Sequence, residues 1–374
     1  MCTMHFALSC ARLFRGRVIK TALVAAFVVF GDAGAGYANS ARVEVKSDTM
    51  DWNAVALAAG QVFVGGPRWT GFSGPSVAIV TKSKALAPFP TAEWNDWKPG
   101  LDATHRFVNV NALHVGPDGS LWVVDTGSPQ FGGTIVKNGA KLVRINPMTG
   151  AVIRVYPFGA DVAPDGSYID DIRINGAHAY LTDAGKGALL VVDIESGSVR
   201  RVLDDNPATT VRQDRPIVVE GETVRISDDS PLHVNVDPLE VSPDGRTLYF
   251  GPLEGPWSQV PTAALDDPSV SRTSLAALVK PWADLPPIGG SIMDERGRLY
   301  YSVLANDTIY CRTPSGKTIK LLTDHRLHWA DAPFLTKDGR LWFPVAQLDR
   351  LPVFQHGVSK IQKPFIIMSL PINP

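Results

Sequence analysis

A short unit of strand, glycine-centred turn and strand occurs six times in this chain, and no other feature constrains the fold as strongly. The copies are VALAAGQVFVGG (55–66), LHVGPDGSLWVVD (113–125), IRINGAHAYLTD (172–183), LEVSPDGRTLYFG (239–251), SIMDERGRLYYSV (291–303) and APFLTKDGRLWFPV (332–345). Each turn has a glycine where a tight hairpin needs a positive φ angle, which is least costly without a Cβ. Repeats of this kind, built from strands alone, are typical of a radial array. The sequence therefore predicts an all-β fold, a six-bladed β-propeller formed as a single domain.

The segments between and beyond these hairpins predict how the ring is completed. Further strand patterns lie at residues 76–80, 141–158, 188–203 and 308–322. Propellers usually close by pairing strands from both chain ends in one blade, so we expect residues 39–50 and 363–372 to meet. Residues 266–282 form the best helix candidate, and residues 212–229 predict a projecting hairpin.

The first 38 residues have the pattern of a secretory signal peptide. Four basic residues precede the apolar run 21–30, and small residues around Tyr37 offer a cleavage site before Asn39. The run is about half of the roughly 20 residues that span a bilayer, so an uncleaved anchor is the weaker alternative. We expect residues 1–38 to be a signal peptide, residues 39–374 to be the propeller, and the mature protein to be secreted or periplasmic.

Charge and cysteine content limit the classes of partner. The leader carries four basic residues and one acidic residue, so its removal changes the formal charge from −1 to −4. The chain has no basic stripe, which argues against nucleic acid and anionic membrane surfaces as partners. We also expect no stable membrane insertion after cleavage. Cys2 and Cys10 lie in the leader, so Cys311 would be a lone thiol without an internal disulfide. We expect a monomer whose partner is a small-molecule ligand.

Several long segments resemble the yellow/major royal jelly protein family, in order along the chain. They are VFVGGPRWTGFSGPSVAIV (62–80), FPTAEWNDWKPG (89–100), RFVNVNALHVGPDGSLWVVDTG (106–127), KLVRINPMTGAVIRVYPF (141–158), YIDDIRINGAHAYLTDAGKGALLVVDIESGSVRRVL (168–203), LEVSPDGRTLYFGPL (239–253), VPTAALDDPSVS (260–271) and DHRLHWADAP (324–333). The resemblance implies a secreted six-bladed propeller. It leaves the activity open, because members are credited with dopachrome conversion, with binding of biogenic amines, or with nutritive and structural roles. A more distant similarity to gluconolactonase-type propellers implies a divalent ion that polarises a lactone carbonyl.

Polar side chains just ahead of the inner strands should converge on the central channel. They are Asp51, Trp52, Asn53, Asn109, Asn111, Asp170, Asp171, Asn235, Asp237, Ser291, Trp329 and Asp331. We expect five of them to bind the ligand, namely Asn111, Asp237, Ser291, Trp329 and Asp331. Hard oxygen donors from several blades suit Ca²⁺ or Mg²⁺, and we expect Asn111, Asp171 and Asp237 to hold such an ion. The alternative is that these side chains cap turns and bond strand ends.

Asp170 and Asp171 are the candidate catalytic pair. Neighbouring residues on a strand face opposite ways, so we expect only one of the two to face the channel. A carboxyl buried beside another carboxylate has a raised pKa and could act as an acid or a base. The alternative is that one carboxylate bonds backbone amides while the other lies outward.

Histidines and tryptophans give two further hypotheses. His325, His328 and Asp331 form an H-x-x-H-x-x-D pattern that could bind a transition metal, although the spacing matches no known zinc pattern. Several tryptophans lie in or near predicted loops, where they could stack a flat ligand or attract an amine. They are Trp52, Trp69, Trp94, Trp97 and Trp329. The alternative for each is packing between blades.

Three kinds of function remain open on the sequence. The first is an enzyme that acts on a small cyclic or aromatic metabolite, either as a dopachrome-conversion-like tautomerase or as a divalent-metal-dependent lactonase. The second is a non-catalytic protein that binds a small amine, and the third is an interaction scaffold. The sequence contains no G-x-S-x-G, H-E-x-x-H or Walker-type motif, so it gives no support to a serine hydrolase, a zincin or a nucleotide enzyme.

Overall fold

A computed structural model describes residues 41–226 and 229–372. This part of the chain contains six four-stranded antiparallel sheets and, separately, one two-stranded sheet. The six larger sheets are the blades of a β-propeller, so the repeat predicted the fold class correctly. The predicted signal peptide, residues 1–38, lies outside the described residues.

In blades 1 to 5 the strands follow chain order from the innermost to the outermost. Blade 1 contains β2 (Ala54–Ala58), β3 (Gln61–Gly65), β4 (Val77–Val80) and β5 (Leu86–Pro88). Blade 2 contains β6 (Val110–Val115), β7 (Leu121–Asp125), β8 (Lys141–Ile145) and β9 (Val152–Pro157). Blade 3 contains β10 (Ile169–Asn175), β11 (His178–Asp183), β12 (Ala188–Asp193) and β13 (Val199–Val202).

The second half of the ring follows the same order until the last blade. Blade 4 contains β16 (Val236–Val241), β17 (Thr247–Pro252), β18 (Trp257–Pro261) and β19 (Lys280–Ala283). Blade 5 contains β20 (Ile288–Met293), β21 (Leu299–Val303), β22 (Thr308–Arg312) and β23 (Thr318–Thr323). Blade 6 contains β24 (Phe334–Leu335), β25 (Arg340–Val345), β26 (Phe365–Pro371) and, outermost, β1 (Arg42–Ser47).

The six repeated glycines sit in the hairpins between the first and second strands of the blades. All six have positive φ angles, from 57° at Gly176 to 79° at Gly119. A side chain with a Cβ is strained in that region, which explains why a glycine occurs in every copy. The inner hairpins are therefore encoded locally.

Both ends of the propeller meet in blade 6. β1 pairs antiparallel with β26, from Arg42 opposite Ser369 to Ser47 opposite Phe365. This pairing confirms that the two end segments close the ring, and it makes β1 the outer edge of blade 6 and covers the outer side of β26.

Apolar side chains fill the spaces between neighbouring blades. Between blades 2 and 3, Trp122 and Leu142 pack with Ile172 and Leu181, each at most 1% exposed. Burial of a side chain of this size contributes about 1.5–3 kcal/mol. Truncation of Leu181 to Ala would leave a cavity and cost about 2–5 kcal/mol. This packing fixes the spacing of the blades and so the walls of the channel.

Short helices and one extra hairpin lie outside the six blades. The α-helices are Ala92–Asn95, Thr262–Asp266 and Arg272–Leu278, and the 3-10 turns are Arg68–Thr70, Leu304–Asn306, His325–Leu327, Leu348–Arg350 and Pro352–Phe354. Ser271 caps the last α-helix by accepting a hydrogen bond from the Ser274 amide. None of the helices in the described residues has the length and apolar character of a membrane span. The extra hairpin pairs β14 (Val218–Val219) with β15 (Glu222–Thr223) and contacts the turn at Leu304–Asn306.

Four inner strands are bulged at the same level of the channel. The pairing of the inner strand with the second strand slips between Val110 and Ala112, Ile169 and Ile172, Val236 and Leu239, and Ile288 and Ser291. A bulge bends its strand and re-aims the side chains within it. The residues inside the slips are Asn111, Asp170, Asp171, Asp237, Pro238, Gly289 and Gly290. The bulges thus occur where the candidate site residues lie.

Candidate functional site

A cavity opens at the end of the channel where the inner strands begin, and all six blades contribute to it. Its lining residues are Asn53, Trp69, Asn111, Phe131, Tyr168, Asp170, Leu232, Val234, Asp237, Leu253, Gly289, Trp329, Asp331, Leu348 and Phe354. It encloses about 530 Å³ of space between atoms, part of it open to solvent. Because that figure includes open solvent, the enclosed part is smaller, and we call the site the channel cavity.

Three carboxyl groups line the channel cavity without a basic residue among its lining residues. They belong to Asp170, Asp237 and Asp331. Burial, followed by the charges of Asp237 and Asp331, raises the pKa of Asp170 well above its usual value. Burial and then the nearby Asp171 raise the pKa of Asp237 to about 8. The pKa of Asp331 is also well raised, by burial and then by Asp237. The three carboxyl groups of the cavity therefore have no basic lining residue to balance their charge.

A chain of directed hydrogen bonds holds one of these acids. Trp69 Nε1 donates to the Tyr168 hydroxyl at 2.9 Å, which donates to Asn111 Oδ1 at 2.7 Å. Asn53 Nδ2 donates to the same Asn111 oxygen at 2.7 Å. The Asn111 amide then donates from Nδ2 to Asp170 Oδ1 at 2.6 Å. Because the amide accepts on one side and donates on the other, its orientation is fixed by its partners.

Aromatic rings form one wall of the channel cavity. The Trp69 ring lies 5.8 Å from that of Phe131 and 6.3 Å from that of Phe354, centroid to centroid. Phe131 in turn lies 4.7 Å from Tyr168. Trp329 lines the cavity from blade 6. The cavity therefore combines an aromatic wall with an acidic floor, and each can recognise a different part of one ligand.

A second group of polar side chains lies deeper along the inner strands, and we call it the ion-pair layer. Arg173 donates to Asp171 Oδ1 at 2.8 Å and to both oxygens of Glu240, at 2.8 and 3.0 Å. It also donates to the Ser291 carbonyl at 3.0 Å, and the Ser291 hydroxyl donates to Glu240 Oε1 at 2.7 Å. In this layer, unlike in the channel cavity, the carboxylates are matched by a guanidinium.

The structure separates the predicted site residues into these two groups. Asn111, Asp170, Asp237, Trp329 and Asp331 line the channel cavity. Asp171 and Ser291 do not; they belong to the ion-pair layer. Only Asp170 of the acidic pair lines the cavity, in line with strand alternation. Asp171 does not lie outward, however, but accepts from the Ile172 amide and from Arg173.

In blade 5, Gly289 lines the cavity, whereas the sequence pattern predicted Ser291 at this position. The slip between Ile288 and Ser291 moves the cavity level two residues earlier in the chain. A Cβ on Gly289 would lie 2.2 Å from the Ala330 carbonyl oxygen. The close approach of the Ala330 backbone therefore requires a glycine at this position. At this level blade 5 therefore contributes backbone to the cavity but no side chain.

Carboxylates at the ends of the second strands position the site from behind, and sequence reasoning missed them. Asp125 accepts from the amides of Val108 and Asn109, both at 2.9 Å, and pairs with buried Lys141 at 2.8 Å. Asp183 accepts from the Tyr168 amide at 2.8 Å. The sequence signal is an Asp that ends a second strand two residues before a glycine, as in VVDTG and LTDAG. These acids fix the backbone that carries Asn111 and Tyr168.

The donor atoms in the channel cavity do not form a ready-made metal site around the residues expected from the sequence. Asn111 Oδ1 already accepts two hydrogen bonds, and Asp171 is paired with Arg173. A carbonyl oxygen has two lone pairs, so this amide would have to give up a partner to bind an ion. The buried Asn53 Oδ1, by contrast, has no hydrogen-bond partner and is free to accept.

The histidine pattern is divided in the structure. The side chain of His325 is 93% exposed, whereas His328 is buried. His328 Nε2 lies 2.8 Å from Asp349 Oδ1. Burial lowers the pKa of His328, but the nearby carboxylates of Asp307 and Asp349 together outweigh burial and raise the pKa to about 9. Trp94 and Trp97 are also buried, at 8% and 4% exposure, and pack in the core rather than at the rim.

Comparisons with known proteins agree with this architecture. A sequence model described as Major royal jelly protein matches residues 108–326. A putative gluconolactonase structure superposes with a TM-score of 0.54 at 10% identity, covering 89% of this chain and 92% of that one. Regucalcin from Agrobacterium tumefaciens str. C58, a calcium-binding protein, gives 0.49 at 13% identity over 88% and 94%. Virginiamycin B lyase from Staphylococcus aureus gives 0.48 at 9% identity over 89% and 99%. No curated protein sequence matches the chain.

Proposed function

The chain belongs to the major royal jelly protein family, and we propose that it binds a small aromatic cation in the channel cavity. One observation carries the proposal: the fifteen lining residues include three carboxyl groups and five aromatic rings but no lysine, arginine or histidine. A cationic head would supply the missing charge at the floor. A ring attached to it would lie against Trp69, Phe131 and Tyr168.

The two parts of such a ligand would contribute separately to the affinity. Opposite charges about 4 Å apart attract by up to ~4 kcal/mol at an effective dielectric constant of 20. An ammonium over an aromatic face adds about 0.5–2 kcal/mol. Aromatic pairs contribute roughly 0.5–1.5 kcal/mol beyond the area they bury. A cation without a ring, or a ring without a charge, should therefore bind more weakly than the combined ligand.

Calorimetric titration with phenyltrimethylammonium tests this proposal, with tert-butylbenzene as the neutral compound of the same shape. Neither compound titrates, so any pH effect belongs to the protein. We expect binding of the cation at 1:1 and at least about tenfold weaker binding of the neutral compound, since only the cation meets the acidic floor. Equal binding of the two would contradict the proposal.

Asp237→Asn provides the matched variant because it removes one charge and keeps the shape of the side chain. We expect at least about tenfold weaker binding of phenyltrimethylammonium at pH 8, on the same electrostatic grounds. Asp161→Asn is the control, because Asp161 lies exposed in a loop outside the lining of the cavity. Loss of binding in both variants would indicate a general charge effect rather than a site.

A second candidate function is catalysis on a small cyclic metabolite, by tautomerisation or by lactone opening. The observation that favours it is the pKa of Asp237, raised by burial to about 8, because a general acid or base works best near the ambient pH. A lactonase of the gluconolactonase kind would also use a divalent ion, for which Asn53 Oδ1 and the three carboxyl groups are the available oxygen donors. Assays of dopachrome and lactones with wild type and Asp237→Asn test it, with and without Ca²⁺ or Mg²⁺.

We also propose that the protein acts after export, with the leader 1–38 removed. N-terminal sequencing of protein recovered from the periplasm or the medium tests this. A mature chain that begins at or near Asn39 supports the proposal, and an intact leader on exported protein contradicts it.

A further inference from the structure

Three side chains from separate parts of the chain meet beside the channel cavity. His328 directly precedes the cavity residue Trp329. Asp307 follows the turn Leu304–Asn306 of blade 5 and has a left-handed φ of 49°. Glu220 lies at the tip of the hairpin formed by β14 and β15, with a φ of 50°. The hairpin packs on the Leu304–Asn306 turn, which brings Glu220 to the other two.

The distances between their donor atoms are too long for hydrogen bonds. His328 Nδ1 lies 3.6 Å from Asp307 Oδ1 and 3.7 Å from Glu220 Oε1. A hydrogen bond between such groups spans about 2.7–3.2 Å. A tetrahedral ion with bonds of about 2.0–2.2 Å holds its ligand atoms roughly 3.3–3.6 Å apart. The two distances from His328 Nδ1 lie at the upper edge of this range, and all three ligand atoms lie within 4.8 Å of one another, so a small movement would bring them around one ion.

Two of these atoms are buried without a partner. His328 is 1% exposed and Asp307 is 9% exposed, and neither His328 Nδ1 nor Asp307 Oδ1 makes a hydrogen bond. An unsatisfied buried polar group costs about 1–3 kcal/mol. Two such atoms that face each other across one gap leave a place there for a further partner.

The surroundings orient the imidazole toward the gap. Asp349 Oδ1 lies 2.8 Å from His328 Nε2, so Nε2 donates to Asp349 and Nδ1 is the ring nitrogen that faces the gap. A carboxylate behind a ligating histidine is the usual support of such a ligand. Arg350 Nη2 lies 3.7 Å from Glu220 Oε1 and helps to hold that side chain, which is otherwise 61% exposed.

We propose that Glu220, Asp307 and His328 bind one divalent transition-metal ion of the zinc type. The imidazole nitrogen favours Zn²⁺ over Ca²⁺ and Mg²⁺, which prefer oxygen ligands alone. Three protein ligands with an exposed Glu220 leave a coordination position open to water. The ion would tie the hairpin to blades 5 and 6 immediately behind Trp329. This site is separate from the channel cavity and does not depend on the proposed ligand.

The test is a titration of metal-stripped, untagged protein with ZnCl₂, followed by calorimetry and by metal analysis after gel filtration. We expect one Zn²⁺ per chain in the wild type and no comparable binding of Ca²⁺. His328→Ala should lose the ion, whereas His325→Ala should keep it, because His325 is three residues away and exposed. Asp349→Asn should weaken binding about 10–100-fold.

A second variant guards against misfolding of the histidine variant. Asp307→Asn removes a ligand charge, and Asn tolerates the left-handed conformation of this position. We expect it to fold with an unchanged circular dichroism spectrum and to lose at least about tenfold in Zn²⁺ affinity. Wild-type protein that binds no stoichiometric Zn²⁺ would overturn the proposal. So would full retention of Zn²⁺ by folded Asp307→Asn or His328→Ala.

Discussion

The channel cavity and the ion-pair layer are neighbours on the same inner strands, yet only the carboxyl groups of the ion-pair layer have a cationic side chain as a partner. In the cavity, Asp170, Asp237 and Asp331 face one another without a cation among the lining residues. In the deeper layer, Arg173 donates to both Asp171 and Glu240. Asp170 and Asp171 are consecutive in the chain, so one residue separates the two environments.

The difference distinguishes the carboxyl groups that stabilise the fold from those that are available to a ligand. A buried carboxylate with a guanidinium partner has its charge satisfied within the fold. A buried carboxyl among other acids has a pKa raised by burial and by the neighbouring charges, and a bound cation would favour its ionised form. The deeper layer therefore joins blades 3, 4 and 5, while the cavity keeps its acids for binding.

The largest effect is expected from Arg173→Met, which leaves Asp171 and Glu240 buried without their cation. Removal of one partner of a buried ion pair costs about 3–5 kcal/mol in the free energy of unfolding. Urea denaturation at neutral pH measures it. Asp170→Asn is the matched control from the cavity, and we expect it to change stability little or to increase it. Equal losses in the two variants would remove the distinction between the layers.

The next effect is a stability profile that falls as the pH rises. Asp237 keeps its proton in the folded protein up to about pH 8, whereas the unfolded chain releases it near its ordinary pKa. Between these values the folded state binds more protons, so the free energy of unfolding decreases by up to ~1.4 kcal/mol per pH unit for this one group. Asp237→Asn should flatten the profile, although Asp170 and Asp331 still contribute. Thermal unfolding from pH 5 to 9 measures the slope.

Ligand affinity should show the opposite trend over the same pH range. Ionised Asp237 attracts a cation and protonated Asp237 does not. Binding of phenyltrimethylammonium should therefore strengthen up to about tenfold per pH unit below pH 8 and level off above it. Calorimetry at fixed ionic strength checks this, and an affinity independent of pH between 6 and 8 would remove Asp237 from the binding site.

The smallest effect is expected from Tyr168→Phe, which removes the hydroxyl between Trp69 and Asn111. The ring stays in the wall, but Asn111 Oδ1 loses one of its two donors. We expect a loss of about 0.5–1.5 kcal/mol in stability. Cation binding should weaken only severalfold, because the carboxyl groups remain. Parallel urea and calorimetric titrations separate the two effects.

The sequence predicted the ring well because its signals are local. A glycine with positive φ, a strand on each side and a β-branched run at each end need no long-range information. The six hairpins and the closing pair of strands were confirmed for that reason. The family resemblance was confirmed over residues 108–326.

The site was predicted in part because its level along each strand depends on the bulges. Simple alternation from the start of the repeat leads to Ser291, whereas the slip in blade 5 brings Gly289 to the cavity. Bulges depend on how a strand pairs with its neighbours, and no residue pattern in these segments predicts them. The cluster at His328 was equally hidden, because Glu220 and Asp307 approach it from other parts of the chain.

The closing pair of strands also determines how the ring responds to force. β1 and β26 are antiparallel, so the start of β1 at Arg42 lies beside the end of β26 near Ser369. Tension applied at residues 41 and 372 would load the hydrogen bonds at that end first and break them in succession. The ring should therefore peel open at low force from its two ends, while each remaining blade keeps its own four strands.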